Sequence, residues 1–379
     1  MKIPLCKPYW GKEEEKAAVN AIRKTIGTGD GPNTVGLIEK LRKLTGARYV
    51  IPTTSCTHGM ELAVAAMGVG PGDEVIVPSF TMSSTANAIL ISGGKPVFAD
   101  IEPEYYSIDP EDIKIKITPK TRGIMVVHYA GMPAAMEKIL AIARKHNLFV
   151  IEDAAHAIGV KYKGKMLGSW GDAGVYSFHG TKNACCGEGG TVLTSDKILA
   201  DKMEIYRANG TNRKQFLEGI VDKYSWVGKG TSYFLSDILA AIMIPQVDKV
   251  SLISRKRTRI ARKYLTAFSK FSDRIILPKV PDNTLPNWHI FAFRFRRPAD
   301  RSVFIRQMRD RGIEVSYHYV PLHSAPMGVH LSDGKPVHLP VTDEVAGSLV
   351  RLPIYAGLKE KELNYIIRTA CSIIRSPGK

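Results

Sequence analysis

Short apolar segments alternate with helical patterns along the chain as far as Thr194, and this alternation restricts the fold more than any other feature. Strands that alternate with helices form a mostly parallel sheet covered on both faces. Such sheets bind ligands at the carboxyl ends of their strands. The predicted strands are residues 48–52, 74–78, 95–100, 123–128, 148–153, 173–178 and 190–194. Their carboxyl ends indicate site residues within 53–57, 78–82, 128–131, 153–156 and 177–182.

A long helical pattern follows, from Ser236 to about Phe271, and it is predicted to bridge to a smaller α+β domain. At 379 residues the chain is long enough for two domains of about 150 residues or more. The predicted class is α/β, with a large domain over residues 1–245 and a small C-terminal domain over 246–379. In the small domain we expect strands at 289–296 and 314–318, and helices at 301–311 and 359–374.

The formal net charge is +17, which suits either a nucleic-acid-binding protein or an enzyme with an anionic substrate. The basic residues are dispersed, and the densest run, 255–259, lies in a helical pattern that predicts a solvated face. No sequence motif for reading RNA or DNA accompanies the charge. We therefore expect no nucleic-acid partner.

The apolar runs are far shorter than the roughly 20 residues that a membrane-spanning helix needs. Pro4 and Lys2 interrupt the N-terminal segment, so it lacks the apolar core of a signal peptide. Five scattered cysteines without CxxC spacing predict neither a disulfide framework nor a zinc site. The expected protein is cytoplasmic, with no membrane partner and no metal.

Three segments at predicted strand ends carry residues suited to chemistry. Asp153 ends an apolar strand, where a carboxylate is costly without a cationic partner, although it could equally cap a helix. Lys182 lies between two apolar strands and precedes a glycine-rich turn, which is an unusual place for a surface lysine. Residues 55–58 open a helix, whose N–H groups bind anions but are also satisfied by simple capping.

Together these segments offer an anion cradle, a buried carboxylate and a lysine. A pyridine cofactor that bears a phosphate and an aldehyde needs all three. The carboxylate keeps the ring nitrogen protonated, and the lysine holds the aldehyde and later moves protons. To act as a base Lys182 must be a neutral amine, so we expect its surroundings to depress its pKa.

The motifs, in this order, resemble the DegT/DnrJ/EryC1/StrS family of sugar-nucleotide aminotransferases, a branch of the fold-type I enzymes that use pyridoxal 5'-phosphate (PLP). The resemblance extends from about Ile3 to Pro353. It rests on Thr28-Gly29-Asp30-Gly31, Pro71-Gly72-Asp73-Glu74-Val75, Pro78-Ser79-Phe80-Thr81, Glu152-Asp153-Ala154-Ala155, and Ser177-Phe178-His179 with Lys182.

This resemblance implies roles for individual residues. Lys182 is implied to carry PLP, and Asp153 to pair with the pyridine nitrogen. His156 is implied to lie near the ring hydroxyl. The implied phosphate cradle is Cys56, Thr57 and Ser177.

Two positions depart from the family pattern. Met82 stands where the family places an aromatic residue over the ring, so stacking should be weaker. Ser232 stands where the family often has an asparagine that reaches the phosphate of the neighbouring subunit. The resemblance therefore implies a homodimer or a higher homo-oligomer.

Residues 127–131, 210–216, 221–224, 232–237 and 318–323 resemble, within the family, the transaminases that make dTDP-4-amino-4,6-dideoxygalactose. The implied substrates are glutamate, as the amino donor, and dTDP-4-keto-6-deoxyglucose. His318 and His323, read alone, are a poor zinc pair because no third ligand accompanies them. The residues implied to bind substrate are Thr28, Gly29, Arg213, Lys223, Tyr224, His318, Tyr319 and His323.

Several alternatives remain open at this point. The amino group could be added at C3, the gluco epimer could form, or the nucleotide could be GDP or UDP. One branch of the family dehydrates sugars and carries histidine in place of the lysine, which Lys182 argues against. A non-catalytic regulatory protein on this fold is a further alternative, opposed by the presence of both Lys182 and Asp153.

Overall fold

The computed structural model describes residues 2–375. Its strands are β1 (Tyr49–Thr53), β2 (Glu74–Pro78), β3 (Lys95–Ala99), β4 (Thr121–Val127), β5 (Phe149–Asp153), β6 (Lys161–Tyr162), β7 (Lys165–Met166), β8 (Ala173–Ser177), β9 (Gly190–Thr194), β10 (Ile275–Ile276), β11 (Thr284–Leu285), β12 (Phe291–Phe295) and β13 (Leu349–Leu352).

The α-helices cover both faces of a large sheet, and some of them pack against a smaller sheet. They are α1 (Lys12–Lys24), α2 (Pro32–Thr45), α3 (Cys56–Ala66), α4 (Ser83–Ile91), α5 (Pro110–Lys116), α6 (Met136–His146), α7 (Lys197–Arg207), α8 (Arg213–Leu217), α9 (Asp237–Phe268), α10 (Pro298–Asp310), α11 (Pro326–Leu331), α12 (Pro340–Ser348) and α13 (Glu360–Arg375). Within residues 2–375, no helix has both the length and the apolar character needed to span a bilayer.

The large sheet contains seven strands in the order β1-β9-β8-β5-β4-β2-β3. The neighbours from β8 to β3 pair in parallel, whereas β9 runs antiparallel to both β8 and β1. No helix connects β8 to β9, and without a crossover helix the next strand returns antiparallel. The predicted α/β class with a mixed, mostly parallel sheet is confirmed.

The central strands are buried on both faces, as expected for a parallel sheet with helices on each side. Met125 and Ile151 pack into the core beneath α3 and α4. Ile124 and Val150, one position earlier, pack into a separate core on the other face with α6. This alternation follows from the two-residue period of a strand.

The bridging helix α9 belongs to two cores at once. Its first half contributes Ala240 and Met243 to a core of the large sheet. Its second half contributes Tyr264 and Phe268 to the core around the small sheet. A 3₁₀ turn at Ser269–Phe271 completes the segment that the sequence predicted.

The small sheet has the order β10-β12-β13, with antiparallel pairs. The predicted strand at 314–318 is wrong, and β13 takes its place. Nearby backbone pairs only at single bridges, Ile313 with Ile3 and Ser316 with Arg351. Because these two partners come from different parts of the chain, no continuous ladder forms.

Candidate functional site

A cavity of about 390 Å³ opens at the carboxyl edge of the large sheet. Residues 289–290, 318–319, 351–352 and 354, which lie in the predicted small domain and are here called the small-domain wall, close one side of it, so its walls come from both halves of the chain. The cavity is lined by, among others, Ser55, Cys56, Thr57, Thr81, Met82, Asp153, His156, Ser177, Lys182, His289, His318, Tyr319 and Arg351. The structure therefore brings together the predicted lysine, aspartate and phosphate cradle.

The cradle is the N-terminus of α3. Ser55 caps the helix, and its hydroxyl accepts a hydrogen bond from the N–H of His58 at 3.1 Å. The first N–H groups of a helix lack partners within the helix and favour an anion. Gly190 of β9 packs against this turn so closely that a Cβ there would lie 2.5 Å from the nitrogen of Cys56. Thr57 and Ser177 add hydroxyl groups to the same wall.

Asp153 is 5% exposed at the end of β5. Its carboxylate accepts hydrogen bonds from the Thr85 hydroxyl at 3.0 Å and the N–H of Ala155 at 3.1 Å. Burial raises the pKa of Asp153, and the hydrogen bonds and the charge of Lys182 oppose that rise. A cation bound beside this carboxylate would favour its charged form.

Lys182 follows β8 in the turn that leads to β9. Within residues 2–375, its side-chain amine makes no hydrogen bond or ion pair. Burial lowers the pKa of Lys182, which is the direction expected for a lysine that must act as a neutral amine. The site thus holds an amine biased towards neutrality and a carboxylate within the same cavity.

Two neutral imidazoles occupy one wall. The Nδ1 atom of His156 accepts a hydrogen bond from the N–H of Ala130 at 3.2 Å, so the ring carries its proton on Nε2. His289 lies 4.4 Å from it, centroid to centroid, and its Nδ1 meets Asn183 Oδ1 at 3.0 Å. Burial lowers the pKa of both histidines. The side-chain N–H of Asn183 donates a hydrogen bond, 3.0 Å from N to O, to the backbone carbonyl oxygen of Asn287, which is fully buried.

His318 and Tyr319 stack on the small-domain wall with ring centroids 4.2 Å apart. Arg351 of β13 donates a hydrogen bond to His318 Nε2. A guanidinium can only donate, so the proton of a neutral His318 lies on Nδ1, 3.3 Å from the Tyr129 hydroxyl. Burial, and then the charge of Arg351, lower the pKa of His318 to about 2.

Of the other predicted site residues, Met82 lines this cavity and the rest do not. Met82 lines its rim and is 59% exposed. Arg213 pairs with Asp30, N to O, at 3.1 Å. His323 is buried and bonds to the Ser79 hydroxyl at 2.8 Å. The residues that do not line the cavity of their own chain are Thr28, Gly29, Arg213, Lys223, Tyr224, Ser232 and His323.

The sequence analysis missed Arg351 and His289, which both line the cavity. Each is a basic residue within a markedly apolar run, 349–354 and 288–293 respectively. A basic side chain in such a run is costly to bury without a polar partner, whether it is charged like Arg351 or neutral like His289. A basic residue within an apolar run was therefore the sequence signal for both positions.

Comparison with known proteins gives matches along nearly the whole chain. The DegT/DnrJ/EryC1/StrS aminotransferase family model matches residues 9–370. The spore coat polysaccharide biosynthesis protein SpsC of Bacillus subtilis is 32% identical over 388 residues, covering 98% of this chain and 97% of that one.

Two solved structures illustrate the shared fold. The aminotransferase TlmJ from Streptoalloteichus hindustanus has a TM-score of 0.92 at 25% identity, with 100% of both chains covered. DesV of S. venezuelae, solved in complex with a ketimine intermediate, has a TM-score of 0.88 at 29% identity, covering 96% of this chain and 94% of that one.

Proposed function

The chain belongs to the DegT/DnrJ/EryC1/StrS aminotransferase family, and on that basis we propose that it transfers an amino group from glutamate to a nucleotide-linked keto sugar with PLP held on Lys182. One observation carries the proposal. Lys182, Asp153 and the N-terminus of α3 line one cavity, and they match the aldehyde, the ring nitrogen and the phosphate of that cofactor.

The described residues fit PLP. The absent Cβ of Gly190 lets β9 approach the α3 turn, where Cys56, Thr57 and Ser177 would hold the phosphate. Asp153 would hold the proton of the ring nitrogen, and that positive charge would favour the carboxylate form of Asp153. When bound, PLP supplies an electron sink for charge that develops next to the donor's amino group.

The protein's own residues would position and move protons. Lys182, with its lowered pKa, would take the proton from the α-carbon of the donor as a neutral amine. His156 would donate from Nε2 towards the ring hydroxyl, because its Nδ1 already accepts from Ala130. His318 and Tyr319 would contact the sugar nucleotide from the small-domain wall.

For the substrate we propose dTDP-4-keto-6-deoxyglucose, with dTDP-4-amino-4,6-dideoxygalactose as the product. The support is the similarity of segments 210–216, 221–224 and 318–323 to the enzymes of that subgroup. The name of SpsC also connects a relative to polysaccharide biosynthesis. An enzyme that fixes cofactor and diphosphate exposes one face of the ketone to the amine, and misplacement of about 1 Å costs on the order of 100-fold in rate.

We further propose that two copies share the site. The segment 218–232 bears Ser232 and exposed apolar side chains, including Trp226 at 81% and Tyr224 at 56% exposure. A contiguous exposed apolar surface marks an interaction site. A second copy that covers it would allow Ser232 to reach the phosphate of its neighbour.

Two experiments test these proposals. Borohydride reduction of the yellow holoenzyme, followed by peptide mass spectrometry, should place the pyridoxyl group on Lys182; a label on another lysine would refute the mechanism. Glutamate should bleach the unreduced protein.

The product test uses glutamate with a panel of dTDP-, UDP- and GDP-linked keto sugars and analyses the products by NMR. A small coupling between H3 and H4 identifies the axial amine of the galacto product. A large coupling identifies the gluco epimer, and turnover of only UDP or GDP sugars would overturn the nucleotide assignment.

A further inference from the structure

Arg351 is a cation on the small-domain wall that no carboxylate neutralises. Among residues 2–375, no Asp or Glu oxygen lies within 4.0 Å of its side-chain nitrogens. Its Nη1 donates to His318, and its Nε is buried without a hydrogen-bond partner. Two neighbouring arginines are buried more deeply, and both have protein partners, although the Nε of Arg294 is also unpaired. Arg294 pairs with Glu344 at 3.0 Å, and Arg257 donates to the carbonyl oxygen of Trp288 at 2.9 Å.

Arg351 is partly buried, and a guanidinium withdrawn from water without a counterion is costly, so its presence at a cavity wall favours an anionic ligand. The neutral His318 fixes the orientation of Arg351, because Tyr129 holds the opposite ring nitrogen. This leaves Nη2 without a protein partner among the described residues. A planar guanidinium matches the geometry of a carboxylate better than any other side chain does.

We propose that Arg351 binds the α-carboxylate of the amino donor, an inference that rests on the transamination proposed above. The α-carboxylate is one carbon away from the reacting amine, so its anchor must line the same cavity as Lys182, as Arg351 does. The phosphates of a sugar nucleotide are separated from a C4 ketone by the width of the sugar ring. The charge of Arg351 also contributes to the lowered pKa of Lys182, which places the two groups within electrostatic reach.

The first test measures how the bleaching of the holoenzyme depends on glutamate concentration. Arg351→Gln should raise the half-saturating concentration about 10- to 100-fold, the scale of a charge-assisted contact, and Arg351→Lys should recover part of the loss. Arg259→Gln is the matched control, because that side chain is 75% exposed on α9. Thermal unfolding of each variant separates a binding loss from misfolding.

A chemical cycle identifies the carboxylate. The α-amide of glutamate lacks the group that Arg351 would hold, so it should bind the unaltered protein as weakly as glutamate binds Arg351→Gln. Combining the two changes should add little further loss. An undiminished effect of Arg351→Gln on the α-amide would overturn the assignment.

The second test needs no catalysis. Calorimetric titration of 2-oxoglutarate into Lys182→Ala protein should give measurable binding that Arg351→Gln abolishes, with thymidine diphosphate binding unchanged. If Arg351→Gln instead weakens thymidine diphosphate binding and leaves glutamate within about twofold, Arg351 binds the nucleotide and the inference is wrong. If the unaltered protein fails to bleach with glutamate, the proposed function fails, while the 2-oxoglutarate titration still reports on Arg351.

Discussion

Burial biases Asp153 and Lys182 towards their neutral forms from opposite directions: it raises the pKa of the carboxyl and lowers the pKa of the amine. Both groups line one cavity, yet they do not form an ion pair with each other. A bound ring that carries a proton on its nitrogen would give Asp153 the cationic partner it lacks. The protein without a ligand therefore carries an electrostatic cost that a bound PLP would relieve.

Removing this cost should stabilise the protein without its cofactor. We expect Asp153→Asn to raise the free energy of unfolding of the apoprotein by on the order of 1 kcal/mol at neutral pH, because an unpaired buried charge is lost. The same variant should bind PLP poorly. Thermal unfolding and PLP titration measure the two effects.

The pH dependence of that gain has a defined sign. Between the ordinary value of 3.8 and the raised pKa of folded Asp153, the native state binds more protons than the unfolded state, so its stability falls as pH rises. The advantage of Asp153→Asn should therefore be full above the folded pKa and disappear as the pH falls through it. A variant less stable than the parent at neutral pH would contradict this account.

The lowered pKa of Lys182 predicts that this amine becomes reactive towards acylation at a lower pH than an ordinary lysine. In competitive labelling of the apoprotein with acetic anhydride, the reactivity of Lys182 should rise with an inflection below the ordinary lysine value of 10.5. Lys279 is the internal control, since its hydrogen bond to Glu104 raises its pKa. An inflection for Lys182 at or above that of Lys279, read from peptide masses, would show that burial does not control this amine.

Gly190 should be essential to the cradle. A Cβ at this position would lie 2.5 Å from the Cys56 nitrogen, so Gly190→Ala must displace the first turn of α3. We expect a loss of about 1–3 kcal/mol in stability and at least a tenfold weaker PLP affinity, measured by absorbance titration. Gly70→Ala meets no atom within 4 Å and should leave PLP binding unchanged. Equal effects of both variants would exclude a specific role for Gly190.

Shared sites predict complementation. Size-exclusion chromatography with light scattering should give at least a dimer. If Lys182→Ala and Ser232→Ala are each inactive, refolding them together should restore part of the activity, because some hybrids contain one intact site. A fully active monomer, or no recovery in verified hybrids, would count against the proposed role of Ser232.

Strand positions were predictable where local signals were strong. β2 and β9 match their predicted bounds, 74–78 and 190–194, because each is an apolar run flanked by a turn or glycine-rich segment. Placing Asp153 and Lys182 at one edge of the sheet followed from the rule for parallel strands. These features depend on residues close together in the sequence.

Other features depend on contacts between distant residues, and the sequence did not reveal them. The failed strand at 314–318 divides its backbone pairing between the N-terminal segment and Arg351. The proposed role of Arg351 depends on its contact with His318, which lies 33 positions away. Arg213, whose role in substrate binding stays a prediction, pairs with Asp30, which lies 183 positions away.

The helix α9 has a consequence for how this protein can be divided or recombined. It spans 32 residues, and each half of it packs into a different hydrophobic core. A fragment that ends within this helix would expose apolar core side chains to solvent and should aggregate. In a chimera that joins two relatives inside this helix, helix residues from one relative would pack into a hydrophobic core made by the other. Exchange of whole sugar specificities between relatives should therefore succeed only at junctions outside residues 237–268.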